Sequence, residues 1–283
     1  DVVVGFGGYP SVPPVVAARL LRQRPRVILH EGNAVLGQAN RGLARFADHI
    51  ALSMARTEAV PAGTATTLTG IPLRAEIAAL HGADYHAPDP CGPVRLLVTG
   101  GSLGARVLSS AVPAAIAMLP AALRARLLVT QQCRAEDLEG VRAAYAGMGV
   151  RAELAPFLDD MARRLAESHF VIARAGASTV AELAVAGRPA LLIPLPSSDS
   201  HQRHNAVAAD AGMLDQAELA GSALPLADVL AHRLDCPDML TAGAHAIAQH
   251  GIPDAARRLA DLVEFTASQE RPSMEPPAMK ASA

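Results

Sequence analysis

The sequence predicts an α/β protein built on parallel sheets in two domains, and three observations carry that expectation. Short runs rich in Val, Ile and Leu, bounded by Gly and Pro, alternate with Ala- and Leu-rich stretches at helical spacing. A polar, Pro-rich interval at residues 74–93 separates two such series. The length of 283 residues suits two domains of ordinary size, each able to bury its own core. Hydrophobic residues make up 51% and aromatics only 3%, with no Trp, so stacking platforms for nucleic acid are scarce. A formal net charge of -2 leaves no basic footprint either, and no nucleic-acid partner is expected. Cys91, Cys133 and Cys236 are odd in number and widely spaced, which favours a reducing compartment and argues against a structural zinc site.

The first series opens at once on an apolar strand at residues 2–6, without Met or lead-in. A parallel strand this apolar wants neighbours on both sides, so the chain is expected to enter its first domain partway through. Gly7-Gly8-Tyr9-Pro10-Ser11 makes a tight turn into a helix at 13–22. A dinucleotide fingerprint fails there: Gly5-Phe6-Gly7 would need a third Gly where Pro10 stands. Then follow a strand at 26–30, the loop Glu31-Gly32-Asn33, a helix at 38–46, and strands at 49–53 and 64–70. Ile71-Pro72-Leu73-Arg74 leaves the sheet.

The second series starts with a strand at 94–98, the loop Thr99-Gly100-Gly101-Ser102-Leu103-Gly104-Ala105 and a helix at 106–118. Such a unit can bring backbone N–H groups against phosphate, with the Ser102 hydroxyl beside them, but it is not a Walker loop. The apolar stretch 111–123 is too short for a membrane span and is interrupted by Pro113 and Pro120, so a surface-facing helix is expected. The first residues carry no signal-peptide pattern. Strands at 127–130 and 152–155 flank a helix at 135–147, and Phe157-Leu158-Asp159-Asp160-Met161 opens another helix with both Asp residues in its first turn. At 169–173 a strand leads through Arg174-Ala175-Gly176 into a helix capped by Ser178 or Thr179, broken by Gly187-Arg188. A second apolar run at 189–196 and a polar cluster at 199–205 follow, with a helix opening near Ser200 and running to 212. A right-handed crossover makes these two strands parallel, so both loops open at the carboxyl edge of one sheet, where such sheets bind ligands. Glu182 can accept two hydrogen bonds from a sugar diol there, and Gln202 can reach the same space. Three further helices are expected at 225–233, 237–249 and 253–265, and residues 267–283 form a disordered tail.

Each signal also has a plainer meaning. Gly serves tight turns as readily as phosphate sites, and a lone Glu182 suits a solvated helix face. His201 and His204, with Asp199 near, could suggest a metal, but their spacing on a starting helix lacks a defined third ligand, so no metal is expected. Asp159-Asp160 is a helix-end charge pair rather than a dyad, because adjacent helix residues diverge. His30-Glu31 is either an acid/base pair or a pair of polar loop residues, and Tyr9 can simply pack on the core. The combination is what matters, since five loops at strand carboxyl ends all carry polar or Gly-rich chemistry.

Together these motifs resemble the MurG family of N-acetylglucosaminyltransferases, in order and along nearly the whole chain to residue 265. The carriers are Gly7-Gly8-Tyr9 with Ser11 and Pro13, His30-Glu31-Gly32-Asn33, Gly70-Ile71-Pro72-Leu73-Arg74, and Gly100-Gly101-Ser102-Leu103-Gly104-Ala105. To these are added Phe157-Leu158-Asp159-Asp160-Met161, Ala175-Gly176-Ala177-Ser178-Thr179-Val180-Ala181-Glu182, and Asp199-Ser200-His201-Gln202. The resemblance implies a GT-B fold of two Rossmann-like domains facing a cleft. It divides the chain into an incomplete acceptor-side domain at 1–73, a linker at 74–93 and a UDP-GlcNAc-binding domain at 94–250, with a helix at 251–266 packing back on the first domain. It implies inverting transfer of GlcNAc from UDP-GlcNAc to the 4-hydroxyl of a lipid-linked muramoyl-pentapeptide acceptor, without metal or cofactor, at the cytoplasmic face of the bacterial plasma membrane with peripheral contact. Leu158 and Met161 belong by this analogy to the uracil site, and Ala177, Ser178, Thr179, Val180, Ala181 and Glu182 to the ribose site. Ser102 and Arg74 face the diphosphate, Gln202 the sugar, and Asn33 reaches the donor from the first domain. Gly7, Gly8, Tyr9, His30 and Glu31 lie on the acceptor side. No base is assigned, although His30 and Glu31 are candidates.

Two positions depart from the family pattern: Ile71 stands for its usual Asn, and Gln131-Gln132-Cys133 where it often has His-Gln. The family's first glycine loop, ending in His, has no counterpart here. The expectation is therefore that this chain keeps donor binding and is weak or inactive as a transferase by itself. A UDP-GlcNAc 2-epimerase shares the architecture and is the nearest rival, with a non-catalytic UDP-sugar-binding subunit as the rival from another class.

Overall fold

The computed structural model describes residues 2–101, 105–197 and 199–269, and the predicted tail lies mostly outside them. Two wholly parallel sheets carry the chain. The first has the order β1-β2-β3-β4, from β1 (Val2–Gly5), β2 (Arg26–Glu31), β3 (His49–Leu52) and β4 (Thr66–Leu68). Helices α1 (Val12–Leu20) and α2 (Gln38–Leu43) make its crossovers. Val15, Leu29, Leu36 and Ile50 form the core on one face.

After the short helix α3 (Ala75–Ala78), a six-stranded sheet takes over. In chain order its elements are β5 (Val94–Thr99), α4 (Arg106–Ala117), α5 (Ala121–Arg126), β6 (Leu127–Gln132), α6 (Leu138–Gly147), β7 (Arg151–Ala155), α7 (Met161–Glu167), β8 (Phe170–Ala173), α8 (Ala177–Ala186), β9 (Ala190–Leu192), α9 (His201–Ala208) and β10 (Gly212–Met213). Helices α10 (Leu224–Leu234), α11 (Pro237–Ala248) and α12 (Ala255–Ser268) complete the described chain. The strand order β10-β9-β8-β5-β6-β7 runs outward in both directions from the β5–β8 pair. The loops leaving β5 and β8 therefore part company, opening a crevice at the carboxyl edge. Thr99 pairs with Ala173 in register, so Gly100 and Arg174 leave the sheet at one level.

The domains are held together at several points. Leu259 and Leu262 of α12 pack on Ile28 and Ala51 of the first sheet. Gly70, where the chain leaves that sheet, takes φ +81 and sits against Ile252 and Ala255. The 74–93 interval is strapped to the second domain: Ile77 is fully buried, Tyr85 donates its hydroxyl to His169 O at 2.8 Å, and its ring lies 5.5 Å from the Arg188 guanidinium.

Several local expectations are corrected. Helix α8 is capped by the Gly176 backbone, not by Ser178 or Thr179, which lie inside its first turn without a capping bond. Asp160 is the N-cap residue of α7 and pairs with Arg163 and Arg164, while Asp159 precedes the helix. Helix α4 is not surface-facing: Leu108, Val112, Pro113, Ala115 and Ile116 are buried, and Pro113 is carried inside the helix. Glu31 ends a strand rather than beginning a loop. Helix α9 stops at Ala208 rather than 212, and the two-residue β10 and the short α3 and α5 are too short to leave a period in the sequence.

Candidate functional site in the interdomain cleft

A cavity of about 1240 Å³ opens at the crevice between the loops after β5 and β8. Its walls include Arg74, Arg106, Arg134 and Arg174, with Glu182 the only acidic residue lining it among those described. In a chain of net charge -2, that is a local concentration of positive charge suited to a polyanionic ligand. Gly100, Gly101 and Gly176 line the same space, and the amino terminus of α8 points its free N–H groups there.

The loops are held by side chains whose roles the sequence hides. Gln132 Oε1 accepts hydrogen bonds from Thr99 Oγ1 at 2.9 Å and Gly100 N at 3.3 Å, and its Nε2 donates to Pro156 O at 3.2 Å. Gln132 thereby fixes the glycine turn to the next strand, which gives the departure at 131–133 a structural meaning. Arg174 is buried, donating to Ile193 O, Pro194 O and Gln216 Oε1 at 2.7–3.1 Å. Burial lowers its pKa, yet a guanidinium stays charged in proteins, so its positive charge sits under the cleft on neutral partners. Gln202 Oε1 accepts from Ala175 N at 3.1 Å and Leu195 N at 2.9 Å. That bridge joins the β8 and β9 loops and occupies the Gln202 carbonyl oxygen.

Glu182 lies 3.6 Å from an Arg74 guanidinium nitrogen. Burial pushes its carboxyl above the usual Glu value, and Arg74 opposes that shift. Helix geometry explains the pairing: Ser178 and Glu182 are one turn apart on the face of α8 toward the cleft, and Arg74 arrives from the linker. Val180 and Ala181 are turned away, toward a smaller cavity behind α8, so the helix offers alternating residues rather than a continuous motif. Leu158, Met161, Ala177, Ser178 and Thr179 all border the large cavity. Phe157, 66% exposed beside Leu158, adds an aromatic surface. Ser102 lies outside the described residues.

A second cavity, of about 680 Å³, adjoins the first through Ala177 and Ser178. It is bounded by Gly7, Gly8, Tyr9, His30, Glu31 and Asn33 from the first domain, and by Asp199 and His201 from the second. Asn33 lines this cavity and not the larger one. Its side chain is engaged, donating to Glu31 Oε1 at 3.0 Å and accepting from Asn205 Nδ2 at 3.1 Å. Glu31 is nearly inaccessible, and both carboxylate oxygens are doubly used: Oε1 by Asn33 N and Nδ2, Oε2 by Gly37 N and Asn40 Nδ2 at 2.8–3.0 Å. A carboxylate with its lone pairs so occupied organises a loop rather than facing a substrate.

His30 binds Gly70 O through Nε2 at 2.9 Å, so Nε2 carries the proton. Burial lowers its pKa, and the ring stands against Phe6 with centroids 5.2 Å apart. His201 Nδ1 is 3.1 Å from Asp199 Oδ2, while its Nε2 is buried without a hydrogen-bond partner. No group of three His, Cys, Asp or Glu residues able to hold a metal occurs among the described residues.

Residues 95–259 match the glycosyltransferase family 28 C-terminal domain, and residues 1–52 the N-terminal domain of the same family. The UDP-N-acetylglucosamine–N-acetylmuramyl-(pentapeptide) pyrophosphoryl-undecaprenol N-acetylglucosamine transferase of Granulibacter bethesdensis is 55% identical over 267 residues, covering 93% of this chain and 69% of that relative. Its counterpart from Rhodospirillum rubrum is 48% identical over 99% of this chain and 73% of its own length. The crystal structure of Acinetobacter baumannii MurG superposes with a TM-score of 0.77 at 33% identity, covering 94% of this chain and 74% of that one. The chain belongs to the MurG family. Its two parallel sheets and facing domains are those of the GT-B fold. A UDP-GlcNAc 2-epimerase from Neisseria meningitidis, solved with UDP-GlcNAc bound, shares that fold at TM-score 0.63 but only 12% identity. The gap in identity separates the MurG family from the epimerase alternative.

Proposed function

We infer that this chain is an N-acetylglucosaminyltransferase of peptidoglycan synthesis, moving GlcNAc from UDP-GlcNAc to the 4-hydroxyl of undecaprenyl-diphospho-muramoyl-pentapeptide with inversion at the anomeric carbon. The observation that carries it is the paired cavity: an arginine-lined donor space continuous with a second space on the other domain.

The donor fits the larger space by its chemistry. Glu182 accepts from the ribose hydroxyls, and Arg74 meets the diphosphate with the backbone N–H groups at the start of α8. Uracil lies between Leu158, Met161 and the Phe157 ring. Gln202 presents its amide nitrogen to sugar hydroxyls, because its oxygen already holds two backbone N–H groups. The acceptor approaches from the Gly7–Tyr9 side. Its hydroxyl oxygen bonds to the anomeric carbon as UDP leaves with the electrons of the broken bond, and a general base takes the hydroxyl proton. Charge growing on UDP is met by fixed dipoles and guanidiniums that need no rearrangement during the step. Holding both substrates in line supplies the remaining advantage. No helix among the described residues is long and apolar enough to cross a membrane. A lipid-linked acceptor places the reaction at a membrane surface, and this reading puts the contact as peripheral and on the cytoplasmic face.

The test is incubation with UDP-GlcNAc labelled in the sugar, with and without the lipid-linked muramoyl-pentapeptide. The expected result is label in the lipid product and free UDP. Formation of UDP-ManNAc from donor alone, or no acceptor-dependent label, would sink the assignment.

A further inference from the structure

Asn205, on α9, is completely buried between the two domains, and its amide makes three hydrogen bonds that use both N–H groups and the oxygen. Its Oδ1 accepts from Ala34 N at 2.8 Å, and its Nδ2 donates to Asn33 Oδ1 at 3.1 Å and to Ala175 O at 3.0 Å. The orientation is fixed by its neighbours, since Ala34 N can only donate and Ala175 O can only accept. Two of the three bonds cross from the second domain to the first, and the third ends on the donor loop.

Ala175 is gripped twice by the same helix. Gln202 holds its N–H, and Asn205, one turn further along α9, holds its C=O. On the other side, Asn33 passes the connection to Glu31, whose carboxylate gathers Gly37 and Asn40 around the acceptor-side cavity. A continuous set of hydrogen bonds therefore runs from the donor loop through Asn205 and Asn33 to the Glu31 loop. Nearby, His204 reaches Glu58 of the first domain at 3.7 Å, but that pair is exposed and adds little.

We propose that Asn205 is the positioning residue that sets the donor loop and the acceptor-side loop in register, so that occupation of the nucleotide-sugar site stiffens the acceptor site. It touches neither substrate in this account and acts through Ala175 and Asn33. The proposal rests on the transferase reading for its kinetic consequence but not for its structural one. Asp cannot donate to Asn33 and Ala175, and Leu leaves Ala34 N and Ala175 O buried without partners.

The experiment combines hydrogen exchange and kinetics on the full chain. The probe amide is Gly37 N–H, which bonds to Glu31 and not to Asn205. Saturating UDP-GlcNAc is expected to slow its exchange at least fivefold in the native chain and less than twofold in Asn205→Ala and Asn205→Asp. In transfer assays the same variants should keep a KM for UDP-GlcNAc within threefold of native while kcat on the lipid-linked acceptor falls tenfold or more. Asn33→Ala breaks the same chain of bonds between Asn205 and Glu31, so it should reproduce the loss of donor-induced protection at Gly37 and secures the exchange arm if the Asn205 variants fold poorly. Equal donor-induced protection of Gly37 in native and variant chains, or no donor effect in the native chain, overturns the coupling. Unchanged kcat per folded molecule overturns the positioning role. Absence of acceptor-dependent transfer by the native chain strikes instead at the transferase reading, and the exchange arm still decides the coupling.

Discussion

Gly70 is the position where one added methyl group should do most harm. The residue leaves the first sheet with φ +81, and a Cβ built there would lie 2.9 Å from Ala255 Cβ and from Ile252 Cβ and Cγ2. A left-handed conformation costs a non-glycine residue roughly 1–2 kcal/mol. Overpacking against atoms that close costs about 1–3 kcal/mol more. Gly70→Ala should therefore destabilise by roughly 2–5 kcal/mol, lowering the melting temperature on the order of 10 °C. Gly63 provides the control, having φ +78 but no neighbouring atom within 4 Å of the added carbon. Gly63→Ala should show the conformational cost alone, about 1–2 kcal/mol. Thermal and urea unfolding of both variants, followed by far-ultraviolet circular dichroism, separates the two contributions. Equal losses in the two variants would refute the packing argument, and a melting point for Gly70→Ala within about 2 °C of native would refute the whole calculation.

Two further outcomes follow from the site. Glu31→Gln replaces one doubly bonded oxygen by an NH2 group facing N–H donors, and should cost about 2–4 kcal/mol in urea unfolding; a loss below about 0.5 kcal/mol would show that the carboxylate is not organising the 31–40 loop. Because burial holds the Glu182 pKa above its ordinary 4.5, the ligand-free protein loses some stability as pH rises from 4.5 toward the raised value. Donor affinity moves the other way, since only the carboxylate can accept from both ribose hydroxyls: it should fall as pH drops through that raised pKa, and calorimetry should show this dependence vanish in Glu182→Gln.

Much of the architecture was legible because it follows from periodicity. The change from the apolar run at Phe170–Ala173 to the Ala/Leu pattern of α8, and its break at Gly187, could be read without coordinates; the structure adds that Gly187 takes the left-handed conformation there. What the sequence concealed depended on three-dimensional phase and on saturation. Val180 and Ala181 share a motif with Glu182 but face the other side of α8, a consequence of about 100° of rotation per residue. Glu31 looked like a candidate base because nothing local announces four donors converging from 33, 37 and 40. Gln132, Arg174 and Asn205 act by holding loops to one another, and a buried polar residue inside an ordinary strand or helix leaves no local signature of its distant partners. Arg174 had one available hint: a charged residue directly between an apolar strand and a glycine turn must either be buried with partners or line a site.

The decisive measurement is calorimetric titration of UDP-GlcNAc into the native chain and into Glu182→Ala at neutral pH. Binding by the native chain, weakened at least tenfold in the variant with its fold intact by circular dichroism, is the predicted result. Indistinguishable heats and affinities in the two proteins would contradict the placement of the nucleotide sugar between α8 and the arginine-lined loops.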